Sequence, residues 1–551
     1  MKTLNFILIL SMVIKVGYSQ APTIETWDKR FGGTNDDEFF SFQQTTDRGY
    51  ILGGQSESPI SGDKTQNCRG GYDYWIVKID STSNKQWDVR FGTSGDDLIW
   101  IVQQTSDEGY IISGFTGSDT SYDKTSLGWG GGDFWIVKTD ALGNKQWDKD
   151  YGGTMDEYLY AFQQTNDGGF IMGGPSWSDT GGDKTQPNWD PSLQTSDYWV
   201  IKIDSVGNKQ WDKRFGGTGL DQLVSLIQTA DGGYLLGGAT ESDSGGDISQ
   251  PPSGFIDYWV VKIDSAGNKQ WDKRFGAGTG TSCEFFALQQ ATDGGYILGG
   301  YTAADRGGDK TQNTFGDEDY WIIKLDTVGN KLWDKDYGGP GADDLTNISL
   351  TTDGGYLFSG NTTGGLNAGG SAGGDKSENN MAEVQTWIIK TDAMGNVQWD
   401  KTILTPGNND GYAIQTNDNC YAVAAETVSG IGGYKTQPNW DTTEQTNDYW
   451  IVKFCFTGYG EGIKNITTNL QLNVYPNPFT NELDITVAQA NLTTADLSIC
   501  NMLGQTVYTQ HETNLSPTYT KMLDLSYLAN GGYLVEVVVN GEVSVREVVK
   551  Q

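Results

Sequence analysis

Five acidic side chains, Asp37, Asp97, Glu157, Asp221 and Asp343, each stand five residues after the first glycine that follows a Trp-Asp strand segment; Glu284 and Asp410 join them if a gap is allowed. Carboxylates are hard oxygen ligands, so a ring of them at a channel mouth suits Ca²⁺. The competing reading is that each acid accepts backbone N–H bonds and pins one loop to the next repeat, as a one-per-repeat device does. A second constellation is QPNWD, which puts Trp189 with Asp190 and Trp440 with Asp441 in hydrophilic loops. Such an indole either stacks on a sugar or partner side chain, or packs down onto its own sheet. Catalysis has less to start from. The only histidine, His511, lies outside the repeats, which leaves them without Ser-His-Asp or Cys-His nucleophiles and without histidine-based metal sites. No P-loop, GxSxG or paired CxxC occurs. A glycoside hydrolase needs only two carboxyl groups at a suitable separation, but their abundance singles out no pair.

The elements that carry these residues come from repetition. A phrase close to QWDKRFGG, DGGYILGG, GDKTQ and DYWIVKIDSxGNK returns about every 60 residues, with its Trp-Asp pair at Trp27, Trp87, Trp147, Trp211, Trp271, Trp333 and Trp399. Each repeat holds four short strand candidates; in the second these are Leu98–Gln104, Tyr110–Phe115, Phe134–Asp140 and Lys145–Tyr151. Asp-Gly and Gly-Asn pairs between them supply the positive φ of tight hairpins. The third strand is apolar almost throughout, as a strand covered on both faces must be. The chain opens on a fourth-type strand, Glu25–Phe31, and the repeats end on a third-type strand, Tyr449–Phe456. The two ends complete one unit, which predicts an all-β, seven-bladed β-propeller of four-stranded antiparallel blades, the N-terminal strand closing the last blade. An open solenoid would leave that first strand unpartnered. Cys420 and Cys455 fall at the start and end of neighbouring strands of the closing blade, and a disulfide there is worth on the order of 4 kcal/mol in the loop-entropy model; two buried thiols are the alternative. The long loops between second and third strands share a face with the acidic ring, and the Asp-Lys pair of GDKTQ in them reads as local and solvated.

A formal charge of −34 excludes nucleic-acid and anionic-membrane surfaces as partners. Residues 1–19, a lysine before an apolar run with Gly17 and Ser19 ahead of a cut, read as a secretory signal peptide, and no other segment is apolar for long enough to be a transmembrane segment. The repeats then span 20–457 and a polar linker 458–469.

Residues 470–551 are a different module, with alternating strands and glycine turns that suggest a small β-sandwich. Tyr475-Pro476-Asn477-Pro478, Leu503-Gly504-Gln505, the Leu528, Gly532 and Tyr533 of an LxxGxY-like stretch, and the basic end at Lys550 resemble the type A C-terminal sorting domain of the type IX secretion system of Bacteroidota. The resemblance implies export with the help of that machinery, signal-peptide cleavage, and either release or attachment to the outer cell surface. The propeller also resembles repeat arrays joined to such tails, some labelled endoglucanases, but lends no catalytic residue. These signals converge on a secreted or cell-surface propeller that binds an extracellular glycan or protein, with calcium as the one cofactor the acidic ring suggests. A carbohydrate-active hydrolase and a structural matrix protein are the alternatives.

Overall fold

The computed structural model describes residues 23–363, 372–456 apart from 442 and 444, and 471–551 apart from 489–493, 502–505, 514, 540 and 541. The expected signal peptide, the linker and Gly504 lie outside the described residues. The chain divides into two compact units, Met1–Gly458 and Tyr459–Gln551. All described elements are strands, and among the described residues no helix is long and apolar enough to cross a membrane.

The first unit is a succession of seven four-stranded antiparallel sheets, each an up-and-down meander. Sheet two runs Asp97–Gln104, Tyr110–Thr116, Asp133–Thr139 and Lys145–Tyr151. The seventh takes its first three strands from Asn409–Gln415, Tyr421–Thr427 and Asp448–Phe456 and its fourth from the other end of the chain, Thr23–Phe31. Tyr449 pairs with Phe31 and Phe456 with Thr23 across that junction.

One carboxylate organises each sheet. The third-strand tryptophans, Trp75, Trp135, Trp199, Trp259, Trp321, Trp387 and Trp450, are fully buried. Each indole N–H donates to the aspartate of a Trp-Asp pair on the fourth strand, at 3.0–3.3 Å. The same carboxylate accepts a backbone N–H from the GDKTQ loop, as from Thr65 to Asp88 and Ser249 to Asp272, at 3.0 and 2.9 Å. The loop glutamine then caps the outer edge: Gln66 accepts the N–H of Arg90 and Gln250 that of Arg274. Edge N–H groups answered in this way are closed to pairing with another chain.

The loop lysine is not solvated, contrary to the expectation from sequence. Lys64, Lys124, Lys184, Lys310, Lys376 and Lys435 are all at most 4% exposed. A tight turn folds the loop back on itself, with Gly62 and its glycine counterparts at φ near +55°, a conformation that glycine adopts without strain, and Tyr122 in that place in sheet two. The ammonium is thereby delivered to buried acceptors: the Ser178 carbonyl for Lys184 at 2.6 Å, and a carboxylate, Asp150 or Asp336, for Lys124 and Lys310 at 2.6 Å. A second buried lysine interrupts the apolar third strand, and it pairs with the aspartate of the first hairpin in every sheet, from Lys78 with Asp47 to Lys453 with Asp418, at 2.5–3.0 Å.

Apolar residues form seven clusters, each shared by two successive sheets, and one joins Phe39, Trp75 and Val77 of sheet one to Tyr449 and Ile451 of sheet seven. Between several sheets the third-strand tyrosine hydroxyl donates to the neighbouring tryptophan carbonyl, at 3.3 Å from Tyr74 to Trp135 and 3.0 Å from Tyr449 to Trp75. In the second unit a three-stranded sheet and a four-stranded sheet pack on one core that includes Leu483, Ile485, Leu497 and Val535.

Asp272→Ala leaves the Trp259 indole N–H and the Ser249 N–H without their acceptor. The expected cost is about 2–4 kcal/mol of unfolding free energy in urea titrations. A loss below about 1 kcal/mol would show that the carboxylate does not organise the sheet.

Candidate functional site

The recurring acids stand at the start of the innermost strands and are fully buried: Asp37, Asp97, Glu157, Asp221 and Asp343 have no exposed surface. Each accepts the backbone N–H of the residue four positions earlier, at 2.6–2.7 Å. Hydroxyl groups add to this, such as Ser58 on Asp37 and Ser176 on Glu157 at 3.0 and 2.7 Å. Burial raises Asp97 and Asp343 to about 7, and Asp37 and Asp221 to about 6, despite these donors. Glu284 and Asp410 are not their counterparts. The register puts Cys283, opposite Thr302, and Asn409, opposite Thr427, at that position. With neutral groups in two sheets, what repeats is a hydrogen-bonding cap on the loop, not a ring of charge. N–H and O–H donors already occupy at least one oxygen of each acid, and among the described residues no three acidic, cysteine or histidine side chains gather as a metal donor set.

The two loop tryptophans are tied to the next sheet. The Trp189 N–H donates to Asp247 at 3.0 Å and the Trp440 N–H to Asp63 at 2.9 Å. Arg214 and Arg30 lie over their rings at 4.4 and 4.3 Å. Asp190 and Asp441 close local turns by accepting N–H bonds from Ser192 and Gln194, and from Thr443 and Gln445. A bound indole N–H and a covered ring face make these residues inter-sheet ties, and nothing brings them together as a site.

A site forms instead where the inner strands break register. Opposite Gly54 the strand skips from Phe39 to Ser41; the same shift occurs between Ile99 and Ile101, Leu223 and Ser225, Phe285 and Ala287, and Leu345 and Asn347. A β-bulge of this kind re-aims one side chain. The second glycine of the LGG phrase makes it possible, since a Cβ on Gly54, Gly238 or Gly300 would lie within 2.0 Å of the carbonyl oxygen of Glu38, Gln222 or Glu284. The freed residues, Phe40, Trp100, Val224, Phe286 and Thr346, line a cavity of about 530 Å³ together with Tyr160 and Tyr412. All seven sheets contribute to its wall.

The strands that wall it carry two unlike arcs of side chains, and Glu284 of the acidic one lines the cavity itself. On sheets one to three, aromatic rings follow one another from Phe40 to Trp100 (5.1 Å), Trp100 to Tyr160 (5.1 Å) and Tyr160 to Tyr158 (6.3 Å), and Tyr158 stacks on Phe115 at 4.8 Å. On sheets five, six, seven and one, the residue after each buried cap is acidic: Glu284, Asp344, Asp410 and Glu38. Glu426 faces Asp410 across the strands. Burial, with the charges of Asp410 and Glu38, pushes Glu426 up to about 8, and burial with Glu318 and Asp410 pushes Asp344 up to about 6. Strongly shifted carboxyls in a cleft are a mark of functional sites. Of these acids the sequence singled out Glu284 and Asp410 but not Glu38, Asp344 or Glu426, and it did not show the bulge that supplies the aromatic wall, although its signal, an aromatic three residues after the cap, stands at Phe40, Trp100 and Tyr160.

In the seventh sheet Cys420 and Cys455 are joined as a disulfide, with Cα atoms 4.5 Å apart. In the second unit Asn477 accepts the Val549 N–H at 2.9 Å and the buried Tyr533 donates to the Ala529 carbonyl at 2.8 Å. Pro476 and Pro478 flank Asn477, and Gly532 pairs with Val549. The basic end is a structural plug: Lys550 is 5% exposed and its ammonium donates to the carbonyls of Leu525, Ser526 and Leu528 at 2.7–3.0 Å.

Residues 473–551 match the family model described as the secretion system C-terminal sorting domain. The tail is similar to that sorting domain. The regulatory protein FlaEY of Caulobacter vibrioides is 33% identical over 79 residues, 14% of this chain, and the chain spans 8% of that protein's length. An ulvan lyase from a new polysaccharide lyase family, solved with bound saccharide, is similar with a TM-score of 0.42 at 11% identity, over 72% of this chain and 93% of its own. A family 32 glycoside hydrolase of Bifidobacterium adolescentis is similar with a TM-score of 0.25 at 10% identity, over 96% of this chain and 95% of its own. At scores this low neither likeness bears on the activity of this chain.

The buried carboxyls set a pH dependence. Asp448 is pushed up to about 8 by burial and the nearby Asp37, and burial raises Asp97 to about 7. A folded-state pKa above the unfolded value of about 4 means that the folded chain holds the proton more tightly. That stability is complete below pH ~4 and is lost as the pH rises through the folded values. The melting temperature should therefore fall steadily between about pH 5 and 8.5. With His511 the only histidine, few other side chains titrate there, and a flat or rising series would contradict the assignment.

Proposed function

We propose that the first unit is a closed seven-bladed β-propeller, residues 20–457, that is exported through the type IX secretion system of a Bacteroidota cell and binds a saccharide in its axial cavity. The seven shared apolar clusters and the pairing of Thr23–Phe31 with Asp448–Phe456 support closure. The match of residues 473–551 supports the route, with the signal peptide 1–19 removed at the inner membrane and the product secreted or held on the outer surface.

One observation carries the binding reading. Bulged aromatic side chains from separate sheets converge on one concavity of about 530 Å³, between hydroxyl and amide groups of Ser225, Thr346, Asn347 and Gln222. A few oriented polar groups in an otherwise apolar wall are the usual composition of a small-ligand site. Aromatic faces suit the C–H face of a pyranose, and the hydroxyls and amides suit its rim. An oligosaccharide array followed by calorimetry on the full chain tests this: Trp100→Ala should weaken the binding found by about 10-fold or more at an unchanged melting temperature. Undiminished affinity would remove the cavity from the binding site.

A hydrolase is the second reading, favoured by the facing pair Asp410 and Glu426. The raised Glu426 would be protonated near neutrality, as a general acid must be. Turnover of the bound oligosaccharide, abolished in Glu426→Gln, would decide for it; binding without product release decides for a lectin-like module.

For the export route, deletion of residues 473–551 should leave the propeller in the periplasm, as seen by fractionation and blotting. Recovery of the truncated chain from the medium or the cell surface would overturn the route.

A further inference from the structure

The acidic arc, whose Glu284 lines the cavity and whose Glu38, Asp344 and Asp410 stand two residues before lining residues, is uncompensated. Elsewhere in the first unit carboxylates meet lysine or arginine in one sheet after another, yet among the described residues no ion pair involves Glu38, Glu284, Glu318, Asp344, Asp410 or Glu426. Their electrostatic neighbours are one another: Asp410 and Glu38 act on Glu426, Glu318 and Asp410 on Asp344, and Glu318 with Glu241 on Glu284. Concentrating like charges in this way costs folding energy, and a cation supplied from outside recovers it.

Two polar groups, one beside Glu38 and one on the aromatic arc, also lack a partner for one atom. Gln55 is 5% exposed and donates its amide N–H to Glu38 at 2.5 Å, while its carbonyl oxygen has no hydrogen bond. Trp100 lines the cavity and its buried indole N–H has none either. Unanswered buried donors and acceptors at a cavity are the places where a ligand's own polar groups fit.

We propose that the ligand of the cavity is an amino-sugar oligosaccharide, bound with its pyranose faces against the aromatic arc and its protonated amines on the acidic arc. This rests on the saccharide reading above and narrows it. The carboxylates of Glu38, Glu284, Asp344 and Asp410 stand two residues before the cavity-lining Phe40, Phe286, Thr346 and Tyr412, so the ligand presents a flat apolar face and a cation at different places, as a 2-amino-pyranose does. A basic peptide offers the cation, and an arginine also stacks, but it leaves the hydroxyl and amide groups of Ser225, Gln222, Thr346 and Asn347 unanswered. A neutral sugar answers those groups and leaves the carboxylates without a counter-charge. Ammonium-to-carboxylate hydrogen bonds are among the stronger polar contacts available in such a site.

Calorimetry on the full chain, with a fully deacetylated glucosamine tetramer, its N-acetylated counterpart and a tetra-arginine peptide, tests the assignment. The glucosamine tetramer should bind at least about 10-fold more tightly than either of the others. The double variant Asp410→Asn/Glu426→Gln, which removes charge at constant shape, should erase that preference without lowering the melting temperature. Should that variant fail to fold, the comparison of the three ligands on the unaltered chain decides alone. Equal affinity for the acetylated tetramer overturns the amino-sugar assignment and leaves the saccharide reading standing. Equal or tighter binding of the peptide overturns it in favour of a basic protein ligand. Binding by neither sugar overturns the saccharide reading itself.

Discussion

The hydrogen bond from a buried third-strand indole to the aspartate of a Trp-Asp pair is the contact on which the repeat depends. A tryptophan in the middle of an apolar strand brings a donor that burial would orphan, at a cost of about 1–3 kcal/mol. The aspartate on the next strand answers it and, with its remaining acceptor capacity, holds the N–H that follows the lysine of the GDKTQ loop. From that fixed point the loop turns back, plants its lysine inside the sheet and lays its glutamine along the outer edge. Register of the third and fourth strands, loop course and edge protection thus share one carboxylate per sheet. The residues are spaced about 60 apart because the node must be rebuilt in every sheet, not because each copy performs chemistry.

The same economy accounts for most of the charged residues that look functional. Hairpin aspartates neutralise the third-strand lysines, and inner-strand acids cap their own loops. What this accounting leaves over on the first strands is a set of acids on sheets five, six, seven and one that have no cationic partner, and aromatic rings on sheets one to three that stand freed by bulges. The glycine opposite each bulge links scaffold to site: without the close approach to the carbonyl of Glu38 or Gln222, the strand could not skip a residue and Phe40 or Val224 would not turn to the cavity. A succession of repeated sheets can carry irregular first strands of this kind because each bulge is absorbed within its own strand pair.

Much of the architecture was legible in the chain. Period, strand order, the hairpin turns and the shared last sheet all follow from local patterns of residues, since alternation, Asp-Gly pairs and the lone first strand are properties of neighbours in sequence. The strand Leu98–Gln104 was placed to within a residue of Asp97–Gln104, and the cysteine pair followed from strand ends that the repeat itself positions. The offset of the acids misled in two repeats because counting cannot see hydrogen bonds: at the cap position Cys283 donates to the Thr302 hydroxyl and Asn409 to the Ile403 carbonyl where the acids accept, while Glu284 and Asp410 point the other way along an alternating strand. The solvated reading of the loop lysines failed for the same reason, as composition records polarity but not which buried acceptor lies opposite.

By itself, then, the sequence determined the sheet as a unit, the number of copies and the separate tail with its sorting motif, because each rests on spacing within a few tens of residues. Only the tertiary structure decided what the copies make together. Residues about 60 apart in the chain become neighbours around one cavity, so whether a carboxylate is neutralised or left exposed to a ligand depends on the adjacent sheet. Asp410 is unremarkable within its own repeat, and its significance arises from Glu426 across the strands and Asp344 on the sheet beside it, contacts that no pattern along the chain encodes.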